Sequence, residues 1–241
     1  MKYAADFRFA AREALRGKWL LAVAAGLIAY VLGGLGSEGP EVKFNIDLSG
    51  INLGVELAGY QIFNTNGTLS AGTGIVLSGI AVIIILMAVV MAVIYFVVGS
   101  VIEAGYARFN LDLVDRMDVQ IKSLFAYFGR WKTMAAARFL RSLYTLLWTL
   151  LFIIPGIMAA YSYAMTGYIL AEQPELTASE AIARSKEMMY GNRIRLFCLQ
   201  FSFIGWSILC AFTFGIGNLW LRPYKQAATA AFYREISGQN M

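Results

Sequence analysis

Two cations late in the chain, Arg222 and Lys225, follow an uncharged run from Leu196 to Leu221. A charge at membrane depth is expensive and turns toward a polar interior or reaches the interface. Tyr161, Ser162 and Tyr163 sit in another uncharged run and could supply hydroxyl partners. Together these five residues form a candidate polar region for an anionic headgroup or a peptide carboxylate. The competing reading is snorkelling of both cations to lipid phosphates, with Pro223 shaping the helix. Asp112, Asp115 and Asp118 recur every third residue, and three carboxylates can hold a divalent cation. Arg108, Arg116 and Lys122 are interleaved with them and favour a solvated charged surface. Glu103 could pair with Arg138 or Arg141 and fix helix packing.

Beyond these groups the chemistry is sparse. The chain has no histidine, which removes the commonest general base, metal ligand and pH switch. Its two cysteines, Cys198 and Cys210, would lie about 18 Å apart on a helix, beyond disulfide reach, and read as packing residues. No metal-ligand cluster, phosphate loop, nucleophile elbow or dinucleotide fingerprint is present. Gly33-Gly34-x-Gly36 ends an apolar run and is assigned to packing or helix ending. The expectation is a protein that is not an enzyme, with no catalytic residue, cofactor or metal.

The elements that must carry these residues are set by hydropathy. Of 241 residues, 59% are hydrophobic and 15% charged, against about 25% charged in soluble domains. From Ile75 to Ile102 no side chain is charged. As a helix this run would reach about 42 Å, and a bilayer core of about 30 Å needs about 20 apolar residues. The chain therefore reads as an integral membrane protein with a single membrane domain over 1–241. The net charge of +5 flanks apolar runs, as in membrane anchors, and does not indicate nucleic acid. Residues 1–17 do not read as a signal peptide, since no small-residue cleavage site follows.

Six spans are expected, at about 19–36, 75–102, 134–154, 157–172, 196–214 and 218–236. The orientation follows the excess of Lys and Arg. The N-terminal segment, 103–141 and 172–195 carry five, seven and four Lys or Arg, whereas 37–72 has only Lys43 against four acids. Segment 37–72 is thus placed outside and both termini in the cytoplasm, in the inner (plasma) membrane. This parity needs 142–171 to fold as a hairpin turning at Pro155-Gly156, with Arg138 and Arg141 snorkelling inward. One long kinked helix is the alternative.

Smaller elements complete the reading. Phe7, Ala10, Ala14 and Leu15 oppose Arg8, Arg12 and Arg16, the pattern of an amphipathic helix lying on the inner surface. Segment 41–58 alternates apolar and polar residues about Ser49-Gly50, giving an outer β-hairpin with Lys43 opposite Glu56. Tyr60 and Ile62 could add a third strand before Asn66-Gly67. Thr177-Ala-Ser-Glu180 is a capping box, Glu180 and Arg184 are spaced as an i,i+4 pair, and Gly191 suits the C-terminal cap. A second surface helix is expected after Asp118, carrying Ile121, Leu124, Phe125 and Phe128. The fold class is all-α transmembrane, a polytopic bundle of about six helices with interfacial amphipathic helices and a small extracytoplasmic β-hairpin.

Four stretches carry a family resemblance: Phe152-Ile-Ile-Pro-Gly-Ile157; Tyr161-Ser-Tyr-Ala-Met165; Leu176 to Lys186 with Gly191-Asn192; and Gly215 to Trp220 with Pro223-Tyr224 and Ala231 to Arg234. Together they resemble the bacterial integral membrane proteins grouped as domain-of-unknown-function family 975. They are also distantly similar to the membrane domain of some glycerophosphodiester phosphodiesterases. The resemblance implies a polytopic inner-membrane protein and supplies no catalytic residues. The function expected is a non-enzymatic membrane-embedded binding or accessory component. The alternative is a small transporter or lipid-handling protein using the Arg222/Lys225 region. The expected partners are the bilayer, an anionic lipid or peptide ligand, and a second copy or another membrane protein.

Overall fold

The computed structural model describes residues 3–34, 42–47, 52–57, 60–64, 71–213 and 215–238. It divides into two compact units, Gly36–Phe96 and the combination of Met1–Leu35 with Val97–Met241.

In the first unit, β1 (Val42–Asp47), β2 (Asn52–Leu57) and β3 (Tyr60–Asn64) form an antiparallel sheet in the order β1-β2-β3. Val42 pairs with Leu57, Phe44 with Val55 and Ile46 with Leu53, which places Lys43 opposite Glu56. This is the pairing that strict alternation favours, since a one-residue slip would move every apolar side chain to the other face. The β2–β3 register shifts between Val55 and Glu56. The expected turns at Ser49-Gly50 and Asn66-Gly67 lie outside the described residues. Helix α3 (Ala71–Val114) begins in this unit. Val82, Leu86, Val90 and Ile94 are exposed, as suits an apolar helix in a non-aqueous surrounding.

The second unit is helical: α1 (Ala4–Leu15), α2 (Trp19–Val31), the end of α3, α4 (Trp131–Leu151), α5 (Ile153–Ser162), α6 (Thr166–Glu172), α7 (Ala178–Met188), α8 (Arg193–Phe201), α9 (Ile204–Phe212) and α10 (Asn218–Ile236). Helix α10 is its centre. Ala227, Ala228, Ala230 and Ala231 are fully buried, and such small side chains let neighbouring backbones approach closely. The amphipathic helix α1 buries Phe7, Ala11 and Leu15. The Phe7 ring meets Phe232 of α10 edge to face at 5.3 Å. The apolar face of α1 is thus spent at least in part on protein packing. Gly17, at φ +79, allows the sharp bend to α2. The end of α3 is also interior, with Ile102, Phe109 and Leu111 inaccessible.

Three helical stretches are long and apolar enough to cross a membrane: Ile85–Val114, Ile153–Glu172 and Arg193–Phe212. A fourth exists if α1 and α2, bent by 103°, count as one. The expected six spans are therefore not supported among the described residues. Helix α2 alone has 13 residues, about 20 Å, short of a bilayer core of about 30 Å. Helix α4 carries Arg138 and Arg141 with Ser142, Thr145 and Thr149, which lower its mean hydropathy, and α10 carries Arg222, Lys225, Arg234 and Glu235, so neither passes as an apolar span. After Asp118 two short 3₁₀ helices, Ile121–Phe125 and Phe128–Arg130, replace the expected surface helix.

The pair α4–α5 is a hairpin rather than one kinked helix, but its turn is at Phe152, whose extended backbone (φ −155°, ψ 143°) separates the two helices. Pro155 and Gly156 lie inside the first turn of α5, which corrects their expected place in the loop. Proline costs little there, because the first N–H groups of a helix have no intrahelical acceptor. Gly156 has a different duty. A Cβ there would lie 2.2 Å from Thr149 Oγ1 and 2.6 Å from Thr149 Cα, so only glycine lets the two arms touch. In α7 the capping box forms as expected. The backbone N–H of Thr177 donates to Glu180 Oε2 at 2.8 Å, and the N–H of Glu180 donates to the Thr177 hydroxyl. Gly191 then takes φ +80 beyond the helix end.

Gly156→Ala should therefore destabilise the protein by about 1–3 kcal/mol through overpacking. Gly205→Ala, where an added Cβ meets nothing within 4 Å, should be neutral or stabilising by up to about 1 kcal/mol. Thermal unfolding in detergent measures both. Equal melting temperatures for Gly156→Ala and the wild type would refute the close-packed hairpin.

Candidate functional site

The residues expected to share a polar region take separate partners. The Arg222 guanidinium lies 4.0 Å from the centroid of the Tyr30 ring of α2, a cation–π contact. Lys225 Nζ donates to Ser207 Oγ of α9 at 2.8 Å. The Tyr161 hydroxyl donates to Gln200 Oε1 of α8 at 2.9 Å. Ser162 Oγ donates to the Met158 carbonyl at 2.6 Å, and the Ser162 carbonyl accepts from Ser185 Oγ of α7 at 2.8 Å. The Tyr163 ring lies 6.1 Å from that of Tyr144 on α4. Arg222 and Lys225 thus engage α2 and α9, whereas the 161–163 set engages α8, α7 and α4.

The three aspartates are also spoken for. Asp112 pairs with Arg108 at 3.0 Å, and Asp118 accepts from Gln120 at 3.3 Å. Asp115 receives a two-pronged bond from Arg234, Nε to Oδ1 at 2.9 Å and Nη2 to Oδ2 at 2.5 Å. Arg234 is only 5% exposed. Its Nη1 donates to Glu172 Oε1, whose other oxygen accepts from the Tyr233 hydroxyl at 2.5 Å. One guanidinium thereby ties the end of α3, the end of α6 and α10 together. Nearby, Arg195 pairs with Glu235 at 2.6 Å and lies over the Phe232 ring at 5.6 Å. Among the described residues no group of three or more carboxylates or cysteines could hold a metal ion.

One arrangement with room for a ligand is on α4. The expected pairing of Glu103 occurs with both candidates. Arg141 Nη2 lies 2.7 Å from Oε1, and Arg138 Nε lies 3.8 Å from Oε2. Arg138 Nη1 also donates to the Gly33 carbonyl at 2.9 Å. This contact needs Gly99, where a Cβ would stand 2.5 Å from that carbonyl oxygen. Ser100, Glu103, Arg138, Arg141, Thr166 and Gly167 line a small cavity of about 20 Å³, space for one water.

Arg141 also heads a larger groove of about 470 Å³ between α4 and α5, lined by Ser142, Thr145, Thr149, Ala160 and Ala164. Arg141, Thr145 and Thr149 recur every four residues and so lie along one helix face. Thr145 Oγ1 donates to the Arg141 carbonyl and Thr149 Oγ1 to the Thr145 carbonyl, each at 2.8 Å. Their protons are thus committed within α4, and each oxygen keeps acceptor capacity. Ala160 of α5 and Ala164 just beyond its end supply the width. The hydroxyl spacing is readable in the sequence, but that α5 leaves it uncovered is not.

Outside the apolar helices, Glu180 titrates abnormally. The Thr177 hydroxyl and then the Thr177 backbone N–H hold its carboxyl below the usual range. A lowered folded-state value means the contribution is present above the unfolded pKa and is lost as pH falls through the folded one. Acidification from neutral pH through the carboxylate range should therefore loosen α7 in the wild type. Glu180→Gln, which does not titrate, should show a smaller acid-induced drop in melting temperature. An equal drop in both would refute a role for this carboxylate. Separately, Arg234→Met leaves Asp115 and Glu172 uncompensated and should cost about 3–5 kcal/mol, read as reduced thermal stability. A loss below about 1 kcal/mol, the scale of an exposed pair, would refute a buried network.

Residues 150–240 match the model of a family described as protein of unknown function, DUF975. The match supports the resemblance carried by the motifs from Phe152 onward and runs from the α4–α5 turn through α10. The distant likeness to glycerophosphodiester phosphodiesterases is not shown. No curated protein and no solved structure matches the chain.

Proposed function

From the match of residues 150–240 to the DUF975 model and the geometry of α4 and α5, we propose a non-enzymatic, membrane-embedded binding component that holds an anionic amphiphile in the α4–α5 groove. One observation carries this reading: Arg141 stands where a charged cluster meets a groove of about 470 Å³. Arg141 pairs with Glu103 at 2.7 Å and also lines the groove, so a guanidinium stands at its polar end. Beyond Arg141, Thr145 and Thr149 can accept hydrogen bonds, and Leu146, Leu150 and Ile157 are exposed apolar side chains. A groove with a cation at one end, hydroxyls along one wall and exposed apolar side chains near by matches an amphiphile with an acidic head and an apolar tail. Such a ligand satisfies the charge and leaves no polar group buried unpaired.

The excess of Lys and Arg in 103–141 over the acidic segment 37–72, at opposite ends of the uncharged α3 run, supports a cytoplasmic end and an outer start for that helix in a bacterial plasma membrane. A transporter or lipid-handling role through Arg222 and Lys225 is the second reading. It is less favoured, because Tyr30 and Ser207 give both cations packing partners.

The test is native mass spectrometry of gently extracted protein. Wild type should retain an anionic lipid. Arg141→Leu should lose it by removing the charge, and Thr149→Leu by filling the groove while leaving Arg141 in place. If both variants keep the wild-type complement of lipid, the groove is not the site.

A further inference from the structure

We propose that the α4–α5 hairpin does not cross the bilayer but enters and leaves from one side, its tip resting among the acyl chains near the membrane centre.

Three independent observations carry this. The first is depth. From Arg141 to Phe152 is about 16 Å of helix, and the ten residues of α5 return about 15 Å. Each arm matches half of a hydrocarbon core of about 30 Å. The continuation into α6 does not lengthen the membrane-facing arm. Helix α5 ends at Ser162, whose carbonyl is held by α7. In α6, Thr166, Tyr168, Ile169, Leu170 and Ala171 are all buried in protein. Its apolar character therefore serves the core and not lipid contact.

The second observation is the surface of the tip. Leu150 is 83% exposed, Phe152 69% and Ile154 74%, with no charged residue from Ser142 to Ala171. A turn that emerged on the far side would meet headgroups and water with these side chains. Hydrocarbon is the surrounding that suits them.

The third is the backbone. Irregular backbone facing lipid is costly unless its polar groups are satisfied. Here the irregularity is a single residue. The Phe152 N–H donates to the Trp148 carbonyl at 3.0 Å, and the Phe152 carbonyl accepts from the Gly156 N–H at 3.1 Å. Pro155 removes one of the N–H groups that a helix start leaves open. The polar side chain nearest the turn, Thr149, spends its hydroxyl proton within α4.

The test uses full-length protein with Cys198 and Cys210 changed to alanine, reconstituted in lipid vesicles, with Ile154→Cys or Glu180→Cys added. A membrane-impermeant maleimide should label position 180 from one side only and position 154 from neither. A nitroxide at 154 should collide with oxygen in strong preference to a polar nickel complex, more so than one at Ser142→Cys. Labelling of position 154 from the side opposite to 180 would show a full crossing, and labelling from the same side would show a hairpin outside the membrane. Either overturns the proposal. If Ile154→Cys does not insert, the native Trp148 in a variant with its other tryptophans changed to phenylalanine reports depth. Quenching should be strongest with lipids brominated deep in the acyl chains. Strongest quenching by bromines next to the headgroups would overturn the proposal.

Discussion

A charge removed from water must find an opposite charge in the same place, and the second unit is organised by that requirement. The desolvation cost of a buried ion is several kcal/mol, and it is offset only by close geometry with further hydrogen bonds. Arg234 meets the condition with two carboxylates from separate elements, Asp115 and Glu172. Arg195 meets it with Glu235, and Glu103 with Arg138 and Arg141. Each of these contacts joins helices remote in sequence. The position of α10 among α3, α6 and α8 is thus dictated by ion pairs as much as by its alanines. Apolar packing then fills the space between, as where Phe7 meets Phe232.

The same requirement gives the α4 site its character. The Glu103 carboxylate is shared by Arg138 and Arg141, and Arg138 has a further acceptor in the Gly33 carbonyl. Arg141 reaches from this cluster to the groove. Glycine makes this geometry attainable at two points. Gly99 lets Arg138 and the Gly33 carbonyl pass close to α3, and Gly156 lets α5 lie against Thr149. A methyl group at either position would push apart the walls that define the cluster and the groove.

Signals fixed by short range or by period mostly survive in the structure, and most of those that depend on packing between elements do not. The Thr177–Glu180 capping box and the alternation from Val42 to Leu57 concern residues whose partners are set by short range or by period. The Glu103 pairing was legible because few opposite charges lay at comparable depth. The number of membrane-crossing helices was not. Hydropathy cannot distinguish an apolar side chain facing lipid from one facing protein, and Tyr168, Ile169 and Leu170 of α6 face protein. Pro155-Gly156 has the composition of a turn, yet Pro suits the first turn of a helix equally well, and that is where it lies. The proposed pocket joining Arg222 and Lys225 to Tyr161–Tyr163 assumed a common depth. Tyr30, Ser207 and Gln200 offered nearer partners that no spacing rule identifies.

The most direct measurement is a structure of the protein in lipid nanodiscs, in which the density of the phosphate layers locates the bilayer around α4 and α5. Arg141 should lie at the level of one phosphate layer, with elongated lipid density along Thr145 and Thr149 and with Phe152 about 15 Å deeper, near the centre of the core. Phe152 at the opposite phosphate layer, with Arg141 in mid-membrane and an empty groove, would contradict both the half-depth hairpin and the amphiphile site.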